Sequence, residues 1–283
     1  MKRKILVTGG AGFVGSHLCE ALSKDDNCEI YSLDNYFTGT ESNHVKNVNY
    51  IKGCTSEIFN LIDFKPDLIY HLGEYSRVEQ SFEDIELVLK YNKLGILSIL
   101  EFVRKNKSRL IYAGSSTKFG DNGEGKDSSP YAWSKSSNTE LVKNYGKWFN
   151  IDYAITYFYN VYGDREISSG KYATIIGSFI EKKKKGEKLT VVSPGTQVRN
   201  FTHIEDIIRA LILIGKDGKG DGYGIGSEKG YSILEVAQLF GGDYIMLPER
   251  KGNRMSAPVI TEKIKALGWL SNGDLEEYIK SKI

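Results

Sequence analysis

The sequence predicts an α/β protein, with one parallel sheet between layers of helices and a smaller C-terminal lobe. Short apolar runs alternate with longer amphipathic segments up to about residue 158, which is typical of repeated strand-helix-strand units. A chain of 283 residues, 40% of them hydrophobic, can bury such a core without disulfides. The pattern then loosens into a region rich in Gly and Lys. We therefore expect one domain over residues 1–160 and a partly interleaved lobe over residues 161–283.

Six strands are predicted in the first part of the chain, because six short apolar runs are bounded by turn residues. They read KILVT, EIYSL, VNYI, DLIYHL, RLIYA and DYAITYF. Amphipathic segments predict helices over 56–64, 85–105 and 131–148, and later near 172–185 and 204–214. A further strand is expected at LTVV and short helices at the C-terminus. The glycine-rich run GKDGKGDGYGIG is interpreted as a surface loop.

Charge and cysteine content exclude several classes of protein. The net charge is +2 with acids and bases mixed, so no field favours nucleic acid or a membrane as partner, and the run EKKKKGEK is interpreted as a solvated helix end. The N-terminal MKRKILVTGG leads directly into a strand, so neither a signal peptide nor a membrane span is expected. Cys19, Cys28 and Cys54 are odd in number and lack metal-ligand spacing. This predicts reduced thiols in a cytoplasm and no metal site.

The first motif with chemical content is TGGAGFVG, directly after the first strand and at the start of a helix. Its glycines, Gly9, Gly12 and Gly15, allow a tight turn and let the backbone approach a pyrophosphate, whose charge is met by N–H groups and the helix dipole. Phe13 and Val14 lie in the same turn and are also candidate cofactor-binding residues. The motif predicts a Rossmann-type, doubly wound sheet that binds a dinucleotide.

The second strand ends at Asp34 in YSLDN, about twenty residues after the glycine turn. A carboxylate there can accept the hydroxyl groups of the adenosine ribose and would repel a 2′-phosphate. The sequence therefore predicts NAD rather than NADP as the cofactor, with Asp34 and the adjacent Asn35 in contact with it.

A catalytic constellation is predicted in GSSTKFGDNGEGKDSSPYAWSK. Tyr131 and Lys135 are one turn apart on the helix that starts after Pro130, so both project from one face. A nearby ammonium and an oxidised nicotinamide favour the phenolate form, since a charge about 4 Å away is worth about 4 kcal/mol at an effective dielectric of about 20. Ser115 could bind the same substrate hydroxyl while Tyr131 removes its proton and hydride leaves the carbon. The set is thus suited to hydride chemistry.

Taken together, these motifs resemble the extended short-chain dehydrogenase/reductases of the NAD-dependent nucleotide-sugar epimerase/dehydratase family, of the UDP-glucose 4-epimerase type. The resemblance covers nearly the whole chain. It implies that Ser115, Tyr131 and Lys135 are the catalytic set and that the substrate is a UDP-, GDP- or dTDP-linked sugar. The motifs that carry it are TGGAGFVGSHL, DNYFTG, DLIYHLG, KYNKLGIL, SPYAWSK, YNVYGDR, GTQVRNFTHIEDI and LPERKGNR with the later LGW.

The resemblance also implies a set of binding residues. Asn160, Arg199 and Arg250 fall where the family holds the nucleotide diphosphate, and arginine gives phosphate bidentate contacts that lysine cannot reproduce. Asn92 falls close to the catalytic lysine and counts with the cofactor site.

Two positions after Ser115 depart from the family's dehydratases. Those enzymes carry one or two acids there, which act as acid and base when water is expelled from the sugar. Here the positions hold Ser116 and Thr117, which cannot do that work and become candidate substrate-binding residues. The sequence therefore predicts oxidation and reduction of the sugar without elimination.

Other departures lie near the cofactor and the sugar. Cys54 stands where the family commonly has an aspartate on the adenine amine. Glu74 replaces a small residue next to Leu72 and Gly73, which by resemblance border the cofactor. The loop over 120–131 lacks the family's usual acidic, proline-rich segment, so we expect a sugar pocket more open than a hexose requires.

The resulting prediction is an enzyme that oxidises C4 of a nucleotide-diphosphate sugar and acts as a 4-epimerase through a 4-keto intermediate. A net 4-dehydrogenase or reductase, including one that acts on a sugar larger than a hexose, stays open as an alternative. A redox sensor that binds NAD without turnover is disfavoured by the intact Ser, Tyr and Lys set. The resemblance further implies a homodimer or larger homo-oligomer formed through the helices over 85–105 and 131–148, and a role in supplying precursors for polysaccharides such as capsule.

Overall fold

The computed structural model describes residues 2–251 and 254–283, without the side chain of Asn122. It confirms the α/β fold class, because its centre is a seven-stranded parallel sheet. The strands of the described chain are β1 (Arg3–Thr8), β2 (Cys28–Asp34), β3 (Val48–Lys52), β4 (Leu68–His71), β5 (Arg109–Ser115), β6 (Tyr153–Phe158), β7 (Val161–Tyr162), β8 (Leu189–Val192), β9 (Val198–Asn200), β10 (Thr202–His203), β11 (Gly220–Ile225), β12 (Gly230–Ser232) and β13 (Tyr244–Leu247).

Helices cover both faces of this sheet and build much of the lobe. Within the described ranges, none is long and apolar enough to cross a membrane. The α-helices are α1 (Phe13–Leu22), α2 (Ile58–Leu61), α3 (Ile85–Val88), α4 (Gly95–Asn106), α5 (Pro130–Phe149), α6 (Ile175–Lys184), α7 (Ile204–Asp217), α8 (Ile233–Leu239), α9 (Glu262–Lys265) and α10 (Leu275–Lys282). 3₁₀ segments lie at Glu41–Asn43, Thr55–Glu57, Glu79–Phe82 and Ser116–Asp127, and a π-helix lies at Leu89–Leu94.

The strand order of the sheet is β11-β6-β5-β4-β1-β2-β3. The chain runs outward from β1 to β3 on one side and from β4 to β6 on the other, so the order reverses between β1 and β4. Thr8 pairs with Leu33 on one side and with His71 on the other, which puts three strand ends at the same edge. A doubly wound sheet binds its ligands outside the carboxyl ends of the strands at such a switch point.

The seventh strand corrects the sequence-based prediction of a loop at GKDGKGDGYGIG. Residues Gly220–Ile225 form β11, which pairs in parallel with β6 and has a register shift between Gly220 and Tyr223. An ideal Cβ on Gly224 would lie 2.1 Å from the carbonyl oxygen of Ile260, so this glycine permits close packing of two backbones. Glycine inside a strand often marks such a close approach. The run was misread because its glycines serve packing as well as turning.

Two predicted helices differ from those observed. The segment over 85–105 is interrupted by the π-helix and continues to Asn106, and the Asn138 side chain donates to the Asn92 carbonyl inside the π-helix at 2.9 Å. The segment over 56–64 contains a 3₁₀ turn and the single turn of α2. That helix ends because Ile62 is extended and buried.

Alternate residues of the central strands point to two different cores. Ile5 and Val7 lie in the core beneath α1 and α7, whereas Leu6 lies in the core beneath α4 and α5. A third core joins α6, β8, α8 and α10 in the lobe. Because α7 and β11 come from the second part of the chain but pack with the sheet, the two parts interleave. The boundary near residue 160 stays a prediction.

Gly215→Ala tests the packing of α7 against the sheet. Alanine normally stabilises a helix by about 1 kcal/mol relative to glycine. Here its Cβ would lie 1.9 Å from the Tyr70 hydroxyl oxygen, so we expect a loss of about 1–3 kcal/mol in the free energy of unfolding measured with urea. In a Tyr70→Phe background the loss should shrink without vanishing, since Cζ would still be 2.8 Å away. A stabilised single variant would contradict this contact.

Candidate active site

A cleft of about 740 Å³ opens at the carboxyl ends of the strands and continues to the lobe. Of the site residues predicted from the sequence, Cys54 and Asn92 do not line it and all the others do. The sheet side contributes Gly9, Gly12, Phe13, Val14, Gly15, Asp34, Asn35, Leu72, Gly73, Glu74, Ser115, Ser116, Thr117, Tyr131 and Lys135, and the later part of the chain contributes Asn160, Arg199 and Arg250. The fold thus brings these residues together, while their individual roles stay predictions.

The backbone segments of the glycine turn pack closely against one another at one end of the cleft. An ideal Cβ on Gly15 would lie 2.0 Å from the carbonyl oxygen of Gly9, and one on Gly9 would lie 2.9 Å from the Cα of Gly73. Gly9 also has a φ of +73°, which glycine adopts readily. Gly12 is the N-cap of α1 and gives it no side-chain cap, and the first turn contains no acid. The N–H groups at this helix start therefore suit an anion such as a pyrophosphate.

Asp34 is held at the end of β2 by backbone donors. Its Oδ2 accepts the N–H of Ala11 at 2.9 Å and its Oδ1 accepts the N–H of Tyr36 at 2.8 Å. Burial raises the pKa of Asp34, and the backbone hydrogen bonds partly oppose that rise. Each oxygen keeps a further lone pair for a hydroxyl donor. The glycine turn and this carboxylate together fit the pyrophosphate and adenosine ribose of NAD.

Cys54 and Asn92 lie behind the wall of the cleft. Cys54 is a buried thiol between two lining residues, Gly53 and Thr55, and all three cysteines of the chain are free thiols. Asn92 is fully buried. Its Oδ1 accepts the N–H of Tyr75 at 2.7 Å and its Nδ2 donates to the Ser134 hydroxyl at 2.9 Å. Asn92 therefore fixes segments on which cleft residues sit.

The sequence places Ser115 and Tyr131 by local capping. Ser115 ends β5, and its Oγ accepts the hydroxyl of Thr117 at 2.9 Å, which leaves the Ser115 hydroxyl proton for another acceptor. Ser129 caps α5 by accepting the N–H of Ala132 at 3.1 Å, and this puts Tyr131 in the first turn. Lys135 follows one turn later. The three predicted catalytic side chains lie in residues that are at most 8% exposed.

Glu74 forms a buried ion pair with Lys135. The Glu74 side chain is only 2% exposed, and its Oε2 also accepts the hydroxyl of Tyr112 at 2.9 Å. Its Oε1 accepts the side-chain N–H of Asn138 at 3.1 Å. Lys135 donates in addition to the carbonyl oxygen of Ala113. An ammonium has three donors, so these two contacts leave one N–H of Lys135 for a ligand.

His71 extends this network to the end of β1. The hydroxyl oxygen of Thr8 accepts the N–H groups of Leu72 at 3.2 Å and Gly73 at 3.0 Å, so its own proton is directed to Nδ1 of His71 at 2.7 Å. This arrangement assigns the ring proton of neutral His71 to Nε2. That atom faces Oε1 of Glu74 at 3.5 Å, a contact too long for a good hydrogen bond.

The carboxylate of Glu74 is held in its ionised form. Burial alone would raise its pKa, but the positive charge of Lys135 and the His71 contact outweigh burial and lower the pKa to about 2. Lys135 is therefore an ammonium whose charge is compensated by Glu74, a partner that the sequence did not reveal. The residue at position 74 stood out in the sequence, but nothing in the pattern indicated its partner.

The two arginines predicted for the diphosphate both line the cleft. Arg199 donates to the carbonyl oxygen of Arg254 at 2.8 Å, and burial followed by repulsion from Arg254 lowers the pKa of Arg199 to about 10. Arg250 is more exposed and pairs with Glu79 at 2.8 Å. Two partly buried guanidinium groups that repel each other favour an anionic ligand.

Sequence reasoning missed two further arginines, Arg77 and Arg254. Arg77 donates to the carbonyl oxygen of Tyr172 at 2.6 and 2.8 Å and so joins the lobe to the sheet side of the cleft. Arg254 donates to the hydroxyl oxygen of Ser116 at 3.2 Å. Both arginines line the same cleft as Tyr131. The RKGNR run could have indicated a cationic segment, but not which of its arginines reaches the catalytic end.

Comparison with known proteins supports the interpretation of this cleft. Residues 5–226 match the model of the NAD dependent epimerase/dehydratase family. The chain is 30% identical to a Methanocaldococcus jannaschii protein named "Putative UDP-glucose 4-epimerase", with 98% of this chain and 96% of that protein aligned. It is 31% identical to the UDP-N-acetyl-alpha-D-glucosaminuronate decarboxylase of Bacillus cytotoxicus, with 84% and 79% aligned.

A solved structure agrees with the fold over its whole length. The chain is similar to the UDP-glucose 4-epimerase of Thermus thermophilus in complex with NAD, with a TM-score of 0.88 and 27% identity. The alignment covers 99% of this chain and 97% of that one.

Glu74→Gln tests the buried ion pair through acid stability. The pKa of Glu74 falls from 4.5 to about 2 on folding, so its ionisation stabilises the protein above pH 4.5, and this contribution is lost as the pH falls toward 2. We expect about 2 kcal/mol of the wild-type acid dependence to be missing in Glu74→Gln, measured by urea unfolding from pH 5 to 2.5.

Tyr112→Phe is the matched control, because it removes one donor and keeps the carboxylate. It should retain part of the acid dependence. If Glu74→Gln unfolds with the same pH dependence as the wild type, Glu74 is not an ionised partner of Lys135.

Proposed function

The chain belongs to the NAD-dependent epimerase/dehydratase family, and on that premise we propose that it is a nucleotide-sugar 4-epimerase that acts through a 4-keto intermediate. One observation carries the proposal. Ser115, Tyr131 and Lys135 share a cleft with an NAD-type site, while positions 116 and 117 hold no acid. The 4-epimerases among its relatives support the same reaction class.

Each of these residues has a separate role in such a reaction. NAD, held by the glycine turn and Asp34, supplies a hydride acceptor that can also return the hydride. Ser115 donates its unused hydroxyl proton to the sugar oxygen, and Tyr131 removes the proton of the C4 hydroxyl. The remaining N–H of Lys135 is available to the cofactor ribose, and Glu74 and the Ala113 carbonyl fix the ammonium for that contact. Tyr131 gives the proton back after the sugar has turned.

Elimination of water does not fit the positions that follow Ser115. Ser116 accepts an N–H of Arg254, and Thr117 donates its hydroxyl to Ser115, so both side chains are neutral and engaged. Neither can act as the acid or base for loss of water from C5 and C6. A 4-keto intermediate therefore either regains its hydride or leaves the site.

The wall of the sugar end favours return of the hydride over escape. The loop over 120–131 was expected to leave the pocket open, but the N–H of Asp121 in this loop donates to the Ser256 carbonyl at 3.3 Å. The N–H of Met255 donates to the Asp121 carboxylate at 3.2 Å. These contacts join the loop to the C-terminal segment. This closure supports an epimerase over a net 4-dehydrogenase.

A homodimer through α3–α5 is part of the proposal. The segment from α3 to α5 carries several large apolar side chains that are exposed, and such side chains can bury their surface against a partner. We further propose a cytoplasmic location and a role in supplying activated sugars for polysaccharides such as capsule. The exposed side chains are Ile85, Leu89, Leu94, Leu97, Trp133, Trp148 and Phe149.

The deciding experiment uses NAD-loaded protein with a panel of UDP, GDP and dTDP sugars. The sugar products are followed by NMR and reduced nicotinamide by absorbance. We expect one C4 epimer with no net reduced cofactor. A stoichiometric 4-keto product with reduced cofactor would identify a 4-dehydrogenase. Loss of water would show that Ser116 and Thr117 were misinterpreted. NAD retention without any C4 exchange would indicate a sensor.

Tyr131→Phe tests the proton-transfer role directly. We expect turnover on the panel's substrate to fall by at least about a hundredfold, because a positioned acid-base group is lost, while NAD stays bound. Tyr145→Phe is the matched control, since that phenol lies on the same helix but donates to Glu101 at 2.7 Å, outside the cleft lining. The control should keep its activity within a few-fold. Equal activities of the two variants would remove Tyr131 from its role.

A further inference from the structure

The guanidinium group of Arg254 has a positive charge that no described residue pairs with. Its Nη2 donates to the Ser116 hydroxyl oxygen at 3.2 Å, and its Nη1 is buried without a hydrogen-bond partner within the described part of the chain. Burial lowers the pKa of Arg254, with attraction to Tyr131 opposing the shift. A desolvated cation without a counter-ion is unfavourable, so this position favours an anion.

The surroundings do not supply that anion. Asp121 attracts Arg254 through space, but no ion pair within 4 Å joins the two in the described residues, and Asp121 already accepts the N–H of Met255. The carboxylate of Glu74 already forms an ion pair with Lys135. Arg199 adds a second positive charge beside Arg254. The anion therefore comes with the ligand.

The position of Arg254 identifies which part of the ligand it meets. Arg254 contacts Ser116, which follows Ser115, and the proposed reaction places Ser115 at the C4 hydroxyl; Tyr131 lines the same cleft. A group here lies beside the neighbours of C4, which are C3 and C5. In hexoses C5 carries C6, and oxidation of C6 to a carboxylate is what makes a hexose a uronic acid.

We propose that Arg254 and Ser116 bind a carboxylate at C6, so that the substrate is a nucleotide-diphosphate uronic acid. This inference rests on the proposed C4 chemistry and narrows its substrate class. Arg254 offers Nη1–H and Ser116 offers its hydroxyl proton, which gives one donor for each carboxylate oxygen. Arg199 and Arg250 then remain for the diphosphate.

The contact between Arg254 and the carboxylate also affects whether C6 is lost as CO₂. Oxidation at C4 places a carbonyl β to the carboxylate, and loss of CO₂ would break the C5–C6 bond and move its electron pair into the enolate of C4 and C5, with a proton later added at C5. An ion pair to Arg254 stabilises the charge while it is on the carboxylate, before it moves, and so raises the barrier to that loss. The expected product is the C4-epimeric uronic acid with C6 retained.

The test compares nucleotide sugars that differ only at C6: UDP-glucuronic acid with UDP-glucose, and GDP-mannuronic acid with GDP-mannose. For the NAD-loaded wild type we expect kcat/KM to be at least about tenfold higher for the uronic acid of the active pair. In Arg254→Gln this preference should fall by about ten- to a hundredfold, mainly through KM, because a charged hydrogen bond is lost. Arg254→Lys should be intermediate, since it keeps the charge but loses the fork.

Arg250→Gln is the matched control and should weaken both members of a pair alike. A wild type that prefers the neutral sugar would overturn the carboxylate site while leaving the epimerase intact, and C4 exchange on neither member would instead remove the proposed function. An equal loss on both sugars in Arg254→Gln would also overturn it and assign Arg254 to the diphosphate or to Tyr131. Release of CO₂ from C6 would support the uronic acid and contradict epimerisation.

Discussion

The buried ion pair between Glu74 and Lys135 is the interaction on which the geometry around Ser115, Tyr131 and Lys135 depends. Taking two charges out of water costs several kcal/mol for each, and the attraction offsets this only if the remaining hydrogen-bonding positions are filled. Tyr112, Asn138 and the Ala113 carbonyl fill them, and His71 completes the shell. These groups come from β4, β5 and α5. If any of these elements moved, a buried charge would lose its partner. The pair therefore fixes the ammonium relative to the strand ends.

A second consequence concerns where positive charge acts in the cleft. With Lys135 compensated by Glu74, its field at Tyr131 is weaker than that of an isolated ammonium. The guanidinium groups of Arg77 and Arg254 are also positive, and no described carboxylate lies within 4 Å of either one. In the proposed reaction, the Glu74–Lys135 pair thus supplies a rigid frame for proton and hydride movement, and the two arginines supply binding energy for anionic parts of the substrate. Arg77 joins the two walls through Tyr172.

How much of this structure the sequence predicts depends on how far apart in the sequence the interacting residues lie. The glycine turn, Asp34 and the start of α5 next to Pro130 are local in sequence, and they were predicted together with six strands of the sheet. Lys135 and Glu74 are 61 residues apart, and Arg254 and Ser116 are 138 apart, so neither pairing could be inferred from spacing. β11 was missed for the same reason. Glycine is needed at position 224 because the backbone of Ile260, distant in sequence, packs closely against it. Residue type indicated candidates, whereas the fold selected their partners.

The serine at position 116 connects the reaction type with the substrate class. A carboxylate at this position would serve elimination, and it would also pair with the guanidinium of Arg254 at the distance where Ser116 now accepts an N–H. Such an internal ion pair would neutralise Arg254 and repel any carboxylate on the sugar. Serine is neutral, so it removes the acid-base function and leaves the positive charge of Arg254 for a ligand. In the function proposed here, the absence of elimination and the site for an anionic sugar therefore both depend on Ser116, and an acid introduced at position 116 would be expected to change both together.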